Sequence, residues 1–533
     1  MPASDSHRIH GLFELGVKKL HAHDYRGAED AFRAVLSARP NMVEAHDNLG
    51  LCLHELGRID DAAGHFRLAI ALEPKSDQAH YHLGKALGQL GRLDEAVQSI
   101  QTAIRLKPRF GDAHRVLAYA LWRQRDLDKA LKHARRAVSL KPSDAETHNM
   151  LGLILQDLGR FDDAMKCFRR CAVMRPDIPA WYTNIGNALV ELNRLDEAIA
   201  YHRKAQQIDW DYADAHYNEA LAQLLAGNLR FGWEKYEWRW QQAKNSPFKP
   251  NFSQPAWRGD GALDGKRILL HAEQGYGDTL QFVRYAPYVA ARGAEVYLQV
   301  QAALKPLLSS LPSVKAVYSR DEPLPNFDLH CSLMSLPLAF STELHTVPNI
   351  VPYIRAPEAK VREWQSELDP IEKLKVGIAW SGNPQVSHDF KRSMSLNLFR
   401  QILSESDCQF YVLQKEIKET DANLIKSSTN LTDLSPKLQD FSDTAAIVAN
   451  LDLVISVDTS VAHLAGAMAI PTWIPLWFSP EWRWLLGREN SPWYPTIRLF
   501  RQQRAGDWVS VLARIRSEIP AFIAAKRASR HIA

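Results

Sequence analysis

Residues 43–76, VEAHDNLGLCLHELGRIDDAAGHFRLAIALEPKS, and residues 77–110, DQAHYHLGKALGQLGRLDEAVQSIQTAIRLKPRF, are two copies of one pattern. Each copy holds two apolar runs of helical period, split by a turn (Gly57-Arg58, Gly91-Arg92) and ended near a proline (Pro74, Pro108). Read outward, the prolines continue at Pro40, Pro142 and Pro176, so that all five stand 34 residues apart. Small residues keep the same step in two series: Gly16, Gly50, Gly84, Ala118, Gly152, Gly186, Ala220, and Ala28, Ala62, Ala96, Ala130, Ala164, Ala198, Gly232. Small side chains let paired helices approach closely, and a proline closes a unit because it has no N–H with which to continue a helix. About seven units therefore run over residues 8–245, after a tail of residues 1–7.

In period, punctuation and small-residue positions this half resembles the tetratricopeptide repeat family. The resemblance implies an α superhelical solenoid whose concave face binds extended peptides or partner helices. Family members that bind peptides often carry an asparagine ladder on that face. Here the matching column reads Asn48, His82, Val116, Met150, Asn184, Asn218, a broken ladder that leaves Asn184 and Asn218 as candidate acceptor contacts. His46, His80, His114, His148 and His216 recur at the same 34-residue step, with Tyr182 in the gap; they occupy one position on successive units, so packing is expected of them and not metal binding. Cys167 and Cys171 share a helical face without a histidine pair at zinc spacing. The aromatic stretch FGWEKYEWRW, 231–240, reads as an end cap, and residues 246–265, with three prolines and three glycines, as a linker.

Composition bounds the rest. A chain of 533 residues holds about three or four domains. Its net charge of +4, with 24% charged residues, offers no basic footprint for nucleic acid. Five scattered cysteines argue against a disulfide framework. The start, MPASDSHRIHGLF, lacks a leader's apolar core, and the longest apolar stretch, Met468–Phe478, is too short to span a bilayer. These features predict a cytoplasmic protein without a membrane span.

From Lys266 the pattern changes to short apolar runs alternating with amphipathic helices, which implies α/β architecture with parallel sheets. Expected strands are 267–271, 295–300, 315–318, 375–380, 409–414, 453–457 and 472–475, and a proline-bearing break at 348–357 separates two sheet-forming groups. Ligands in such folds sit beyond the carboxyl ends of strands. Three such ends carry polar motifs. Glu273–Thr279, EQGYGDT, turns on Gly275 and Gly277 before a helix led by Asp278. After Trp380, the loop SGNPQVSHDFKRS sets Lys391 and Arg392 beside hydroxyls, a composition that can neutralise phosphate. After Val457, Asp458, Thr459 and Ser460 open a helix whose start suits an anion. The first and third motifs, each taken alone, are equally well ordinary helix caps.

Together, QGYGDTLQ (274–281), VGIAWSGNP (376–384) with KRS (391–393), DFSDTAAIVANLDLVISVDTSVAHLAGA (440–467) and WRWLLGRENSPWYPTIRLFRQ (482–502) resemble the heptosyltransferase-type glycosyltransferases of family nine. The resemblance implies an α/β GT-B fold with two Rossmann-like sheet domains, an acceptor-side domain over 266–355 and a nucleotide-sugar domain over 356–520, before a tail of residues 521–533. It further implies inverting, metal-independent transfer from a nucleotide sugar, with no cofactor. Asp278 would be the general base. Lys391 and Ser381 would hold the leaving diphosphate, and Thr459 and Ser460 would present the helix start to phosphate. Asp458 would bind sugar hydroxyls, His463 would line the donor pocket, and Gln414 and Lys415 would meet the nucleoside. Repeats fused to such a domain resemble protein O-GlcNAc transferases and flagellin glycosyltransferases, so a protein acceptor, flagellin-like, is expected in the repeat groove. Transfer to a glycan or lipid-linked acceptor, and a non-catalytic repeat scaffold, stand as alternatives. The aromatics from Trp473 to Tyr494 are expected to be core and not a sugar-stacking surface.

Overall fold

The computed structural model describes residues 3–242, 249–368, 373–384 and 389–532, with side chains from 6 to 528. Met1, Pro2, residues 246–248 of the expected linker, residues 385–388 of the loop after Trp380, and Ala533 lie outside the described residues. By its internal contacts the chain divides into two compact units, Met1–Leu189 and Val190–Ala533.

The small residues explain the helical half. Among the described residues fourteen α-helices run from Ala3–His21 to Leu229–Tyr236. A Cβ added at Gly50 would lie 2.5 Å from the Phe66 ring, and one at Gly152 would lie 2.5 Å from Phe168, so side chains of one helix fill the space that glycine leaves on its partner. The alanines at 28, 62, 96, 130, 164 and 198 are all fully buried. Turns follow the same period. His23, Gly57, Gly91, Arg125, Asn193 and Gly227 all have φ between +57° and +86°, and Gly159 joins them at +73°. The left-handed conformation at each 34-residue step reverses the chain between paired helices.

The histidine column is structural. His46 Nε2 lies 2.8 Å from Pro40 O, His148 Nε2 lies 3.0 Å from Pro142 O, and His80 and His114 make the same bond to Pro74 and Pro108. Tyr182 substitutes by donating its hydroxyl to Pro176 O. Neighbouring repeats of the first unit are tied at a spacing of about one repeat: His82 to Asp47 at 2.9 Å, Trp122 to Asp157 at 2.8 Å, and Asn184 to Asn149 at 3.0 Å.

In the second unit, two wholly parallel sheets are built from ten strands among the described residues. The first has β1 Arg267–His271, β2 Glu295–Val300, β3 Ala316–Ser319 and β4 Leu329–Ser332, in the order β3-β2-β1-β4. The second has β5 Leu374–Ala379, β6 Cys408–Val412, β7 Leu431–Asp433, β8 Leu453–Ser456, β9 Thr472–Leu476 and β10 Ile497–Arg501, in the order β10-β9-β8-β5-β6-β7. Register pairs Arg267 with Glu295 in the first and Val376 with Leu453 in the second. In both sheets the order reverses beside the first strand, β1 or β5, which is the topological switch at which α/β folds bind ligands. β4, β7 and β10 have no counterpart among the expected strands.

Helices Leu195–Ile208, Ala213–Leu225 and Leu229–Tyr236 keep the repeat pattern yet belong to the second unit. Leu224, Leu229, Trp233 and Tyr236 share one apolar core with Phe282, Trp482 and Trp493. Trp233 meets Trp482 edge to face with centroids 5.1 Å apart. The expected end cap is thus part of a core, and so are the aromatics Trp482, Trp484, Trp493 and Tyr494, all buried. Within the expected linker, Trp257 is buried and donates its backbone N–H to His330 O at 2.7 Å. The stretches read as tails are helical in the described residues, in Ala3–His21 and Trp508–Ile532. None of the described helices is long and apolar enough to cross a membrane.

Candidate functional site

The loop after β1 is fixed from below. Arg239, fully buried, grips the Glu273 carboxylate with Nε at 2.8 Å and Nη2 at 2.9 Å, and Ser332 adds its hydroxyl. A bidentate guanidinium–carboxylate pair sets the orientation of both groups. From this anchor the chain enters the helix Tyr276–Phe282. Asp278 accepts the Gly275 N–H at 2.9 Å, so it does cap its helix, while its other carboxylate oxygen forms an ion pair with Arg483. Gly277 lies against the second sheet group: a Cβ there would stand 2.8 Å from the His463 ring.

Beyond β8, Asp458 and His463 form a buried couple. His463 Nδ1 lies 2.9 Å from Tyr494 OH, its Nε2 is 3.7 Å from Asp458 Oδ1, and its ring stacks on Trp484 with centroids 5.3 Å apart. Burial pushes the imidazole below its ordinary range, against the pull of Asp458. Burial alone would raise the Asp458 carboxyl, but His463 and Arg392 outweigh it and hold the group below the usual carboxylate range. Thr459 caps the helix Ser460–Ala467 in extended backbone, φ −140° and ψ 173°. Its hydroxyl turns to Ser456 Oγ at 3.0 Å, and its carbonyl accepts the backbone N–H groups of Ala462 at 3.1 Å and His463 at 3.3 Å.

The remaining expected residues fall into two groups. Gln414 is a strut beneath the β5 loop: its Oε1 accepts from Trp380 N at 3.0 Å and Ser381 N at 3.2 Å, and its Nε2 donates to Ser381 Oγ and Glu416 O. Lys415 is exposed and bonds Gln439 O at 3.2 Å. Lys391 forms an ion pair with Glu191, the last residue of the helix Pro179–Glu191; only 17% and 16% of the two side chains are exposed. Asn184 bonds Asn149 in the first unit, whereas Asn218 is half-buried on the helix Ala213–Leu225 of the second.

The structure therefore brings Asp278, Asp458 and His463 close together between the ends of β1 and β8. It adds Glu191, Glu481 and Arg483, which the sequence reading passed over, and gives Arg392 of the expected phosphate loop its partners. Arg392 donates to Asp458 O at 2.8 Å and to Asp389 at 3.0 Å, bracing the loop. Glu191 neutralises Lys391. Arg483 takes Asp278, Glu481 and Gln281 at once, the last at 2.5 Å. Burial, together with the nearby charges of Asp458 and Asp278, pushes Glu481 up to about 7 against the opposing pull of Arg483. In the sequence Glu481 and Arg483 stand among tryptophans, where the aromatic reading hid them. A shallow depression of about 740 Å³ lined by Leu344, His345, Arg488 and Asn490 contains none of these groups.

Chemically, this cluster offers a carboxylate that can take a proton, a helix start and basic side chains that can hold phosphate, and a carboxylate–imidazole couple that can bind hydroxyls.

Residues 13–77, 81–145 and 149–213 match the family model described as tetratricopeptide repeat, and residues 397–475 match glycosyltransferase family 9 (heptosyltransferase). The chain is similar to Protein FlbA of Caulobacter vibrioides, 27% identical over 341 residues, covering 59% of this chain and 56% of the relative. It thus spans about half the length of that curated relative. Among solved structures it is similar to the MamA protein, at 28% identity and TM-score 0.29, over 32% of this chain and 92% of that one. It is also similar to a thermophilic TPR protein of Thermus thermophilus, at 28% identity and TM-score 0.31, over 34% of this chain and all of that one. One chain here joins tetratricopeptide repeats to a glycosyltransferase family 9 (heptosyltransferase) domain.

Proposed function

We propose that the protein is an inverting glycosyltransferase that moves a sugar from a nucleotide-sugar donor to a protein acceptor recruited by the repeats, flagellin-like in kind. The observation that carries this reading is the meeting of Asp278, from the β1 loop, with Asp458, His463 and the helix start at Ser460, from the β8 turn. In this reading Asp278 draws the proton from the acceptor hydroxyl as its oxygen attacks the anomeric carbon opposite the leaving group. Lys391 exchanges Glu191 for the departing diphosphate, and Arg392 and the helix start add positive potential, so the charge of the leaving group is met without a metal or a cofactor. Asp458 receives sugar hydroxyls, with His463 holding it in place. Ser381, Gln414 and Lys415 shape the nucleoside end. Asn184 and Asn218 are the acceptor contacts of the two units. The five free cysteines suit a reducing, cytoplasmic setting.

The test is release of nucleoside diphosphate from a panel of nucleotide sugars by the full chain, with Asp278→Asn beside it. The amide keeps the shape but cannot take the proton, so turnover should fall about 10²- to 10⁴-fold with donor affinity nearly unchanged. Near-normal turnover in the variant would remove Asp278 as the base.

A further inference from the structure

We propose that Arg483 is the positioning residue for Asp278 and that Glu481 is the counter-ion that lets it act; the inference rests on the reading of Asp278 as the base. Arg483 and Glu481 come from the second sheet group, while Asp278 and Gln281 come from the helix that follows β1. The guanidinium donates through Nη2 to Asp278, through Nη1 to Glu481 and through Nε to Gln281 Oε1 at 2.5 Å. Its backbone N–H reaches the second Glu481 oxygen at 2.9 Å. Trp482 lies 4.2 Å below the guanidinium and Phe282 lies 5.6 Å away, so the plane of the fork is clamped. A planar fork held on three edges dictates where the Asp278 oxygens lie, which an isolated point charge would not.

Two carboxylates on one guanidinium have a use when a proton moves. As the acceptor oxygen bonds to the anomeric carbon, its proton passes to the Asp278 carboxylate. The bond from that carbon to the diphosphate oxygen breaks, and its electron pair leaves with the nucleoside diphosphate. Asp278 becomes neutral at that moment. Arg483, whose side chain is 9% exposed, would then be a stranded cation, but Glu481 compensates it whenever it is ionised, above about pH 7. The other titratable groups facing this pair are Asp458 and His463 from the β8 turn, and Tyr217 and Tyr236 from the repeat-like helices of the second unit.

Glu481→Gln keeps the shape and an oxygen for Arg483 but removes a negative charge near Asp278. Because Glu481 is raised to about 7, kcat/KM of the wild type should fall as the pH drops through that value and the counter-ion is lost, and in Glu481→Gln that limb should vanish. With Arg483 left uncompensated when Asp278 takes the proton, kcat at neutral pH should drop about three- to tenfold. Arg483→Lys keeps the charge and loses the fork; kcat should fall tenfold or more, while the donor KM stays within about twofold. Both variants are made in the full chain, and their melting temperatures are recorded. A Glu481→Gln profile that superimposes on the wild type, with or without a lower melting temperature, overturns the proposal. So does an Arg483→Lys defect confined to donor KM. Asp278→Asn separates the two levels: if it is inactive while the Glu481→Gln profile is unmoved, the base reading stands and only the positioning role falls.

Discussion

Replacing Glu191 by glutamine should tighten the binding of nucleoside diphosphate, the opposite of what deleting a site residue does. Glu191 holds Lys391 through a carboxylate oxygen, and its other oxygen is buried without a hydrogen-bond partner. If Lys391 serves the leaving diphosphate, the two anions compete for one ammonium group. With 17% and 16% of the side chains exposed, the pair lies between a solvated surface bridge and a fully buried one. Its loss is worth about 1 kcal/mol to the competitor, or about fivefold in affinity. Lys391→Ala acts the other way. It removes a charged hydrogen bond of roughly 1.5–3 kcal/mol, an affinity loss of about ten- to over a hundredfold. It also leaves Glu191 uncompensated in the site, so the double variant should bind more tightly than Lys391→Ala alone. Calorimetric titration of the four proteins with a panel of nucleoside diphosphates reads all three effects, with a melting curve for each to establish folding. Unchanged affinity in Lys391→Ala would remove the lysine from the donor site. Weaker binding in Glu191→Gln would show that the carboxylate supports the ligand and does not compete with it.

Three further outcomes follow from the packing. Gly50→Val would push a branched side chain into the Phe66 ring, where a Cβ would lie at 2.5 Å, and should cost about 1–3 kcal/mol; a melting temperature equal to wild type would contradict the packing account. His133 is held down to about 4 by burial and by His114, below the roughly 6.5 of an unfolded chain, so the unfolded state takes up the proton first. Stability conferred by the neutral pair is then present above pH ~6.5 and lost as the pH falls toward 4; His133→Gln should flatten the melting temperature in that window, and parallel curves would refute it. A fragment of residues 190–533 should fold and bind nucleoside diphosphate, whereas residues 266–533 lack Trp233, Tyr236 and Arg239 and should melt lower or aggregate. Equal melting temperatures for the two fragments would refute that.

The 34-residue period was legible because its constraints are local: a small residue, a left-handed turn and a proline each act within a few positions of themselves. β1 and β2 were legible for the same reason, as apolar runs bounded by clear turns, and they fall at the expected residues. β4 begins in the mixed run Leu-His-Cys-Ser, β7 has only three residues, and β10 carries arginines at both Arg498 and Arg501, so none shows an uninterrupted apolar stretch. The charge pairs of the site were hidden by distance along the chain. Asp278 and Arg483 are 205 positions apart, and Lys391 and Glu191 are 200 apart, so no window of sequence contains both partners. Gln414 shows a subtler limit: its position at a strand end was visible, but not that both ends of its amide are engaged by neighbouring backbone and the Ser381 hydroxyl.

The ties between repeats of the first unit, His82 to Asp47, Trp122 to Asp157 and Asn184 to Asn149, each join one repeat to the next and span no further. A stack coupled only through adjacent members behaves as a spring. Small rotations at successive joints add along the stack into a change of pitch. If the repeats recruit an acceptor as proposed, elastic compliance of this kind would let them accommodate cargo of differing girth, with the strain spread thinly over many joints.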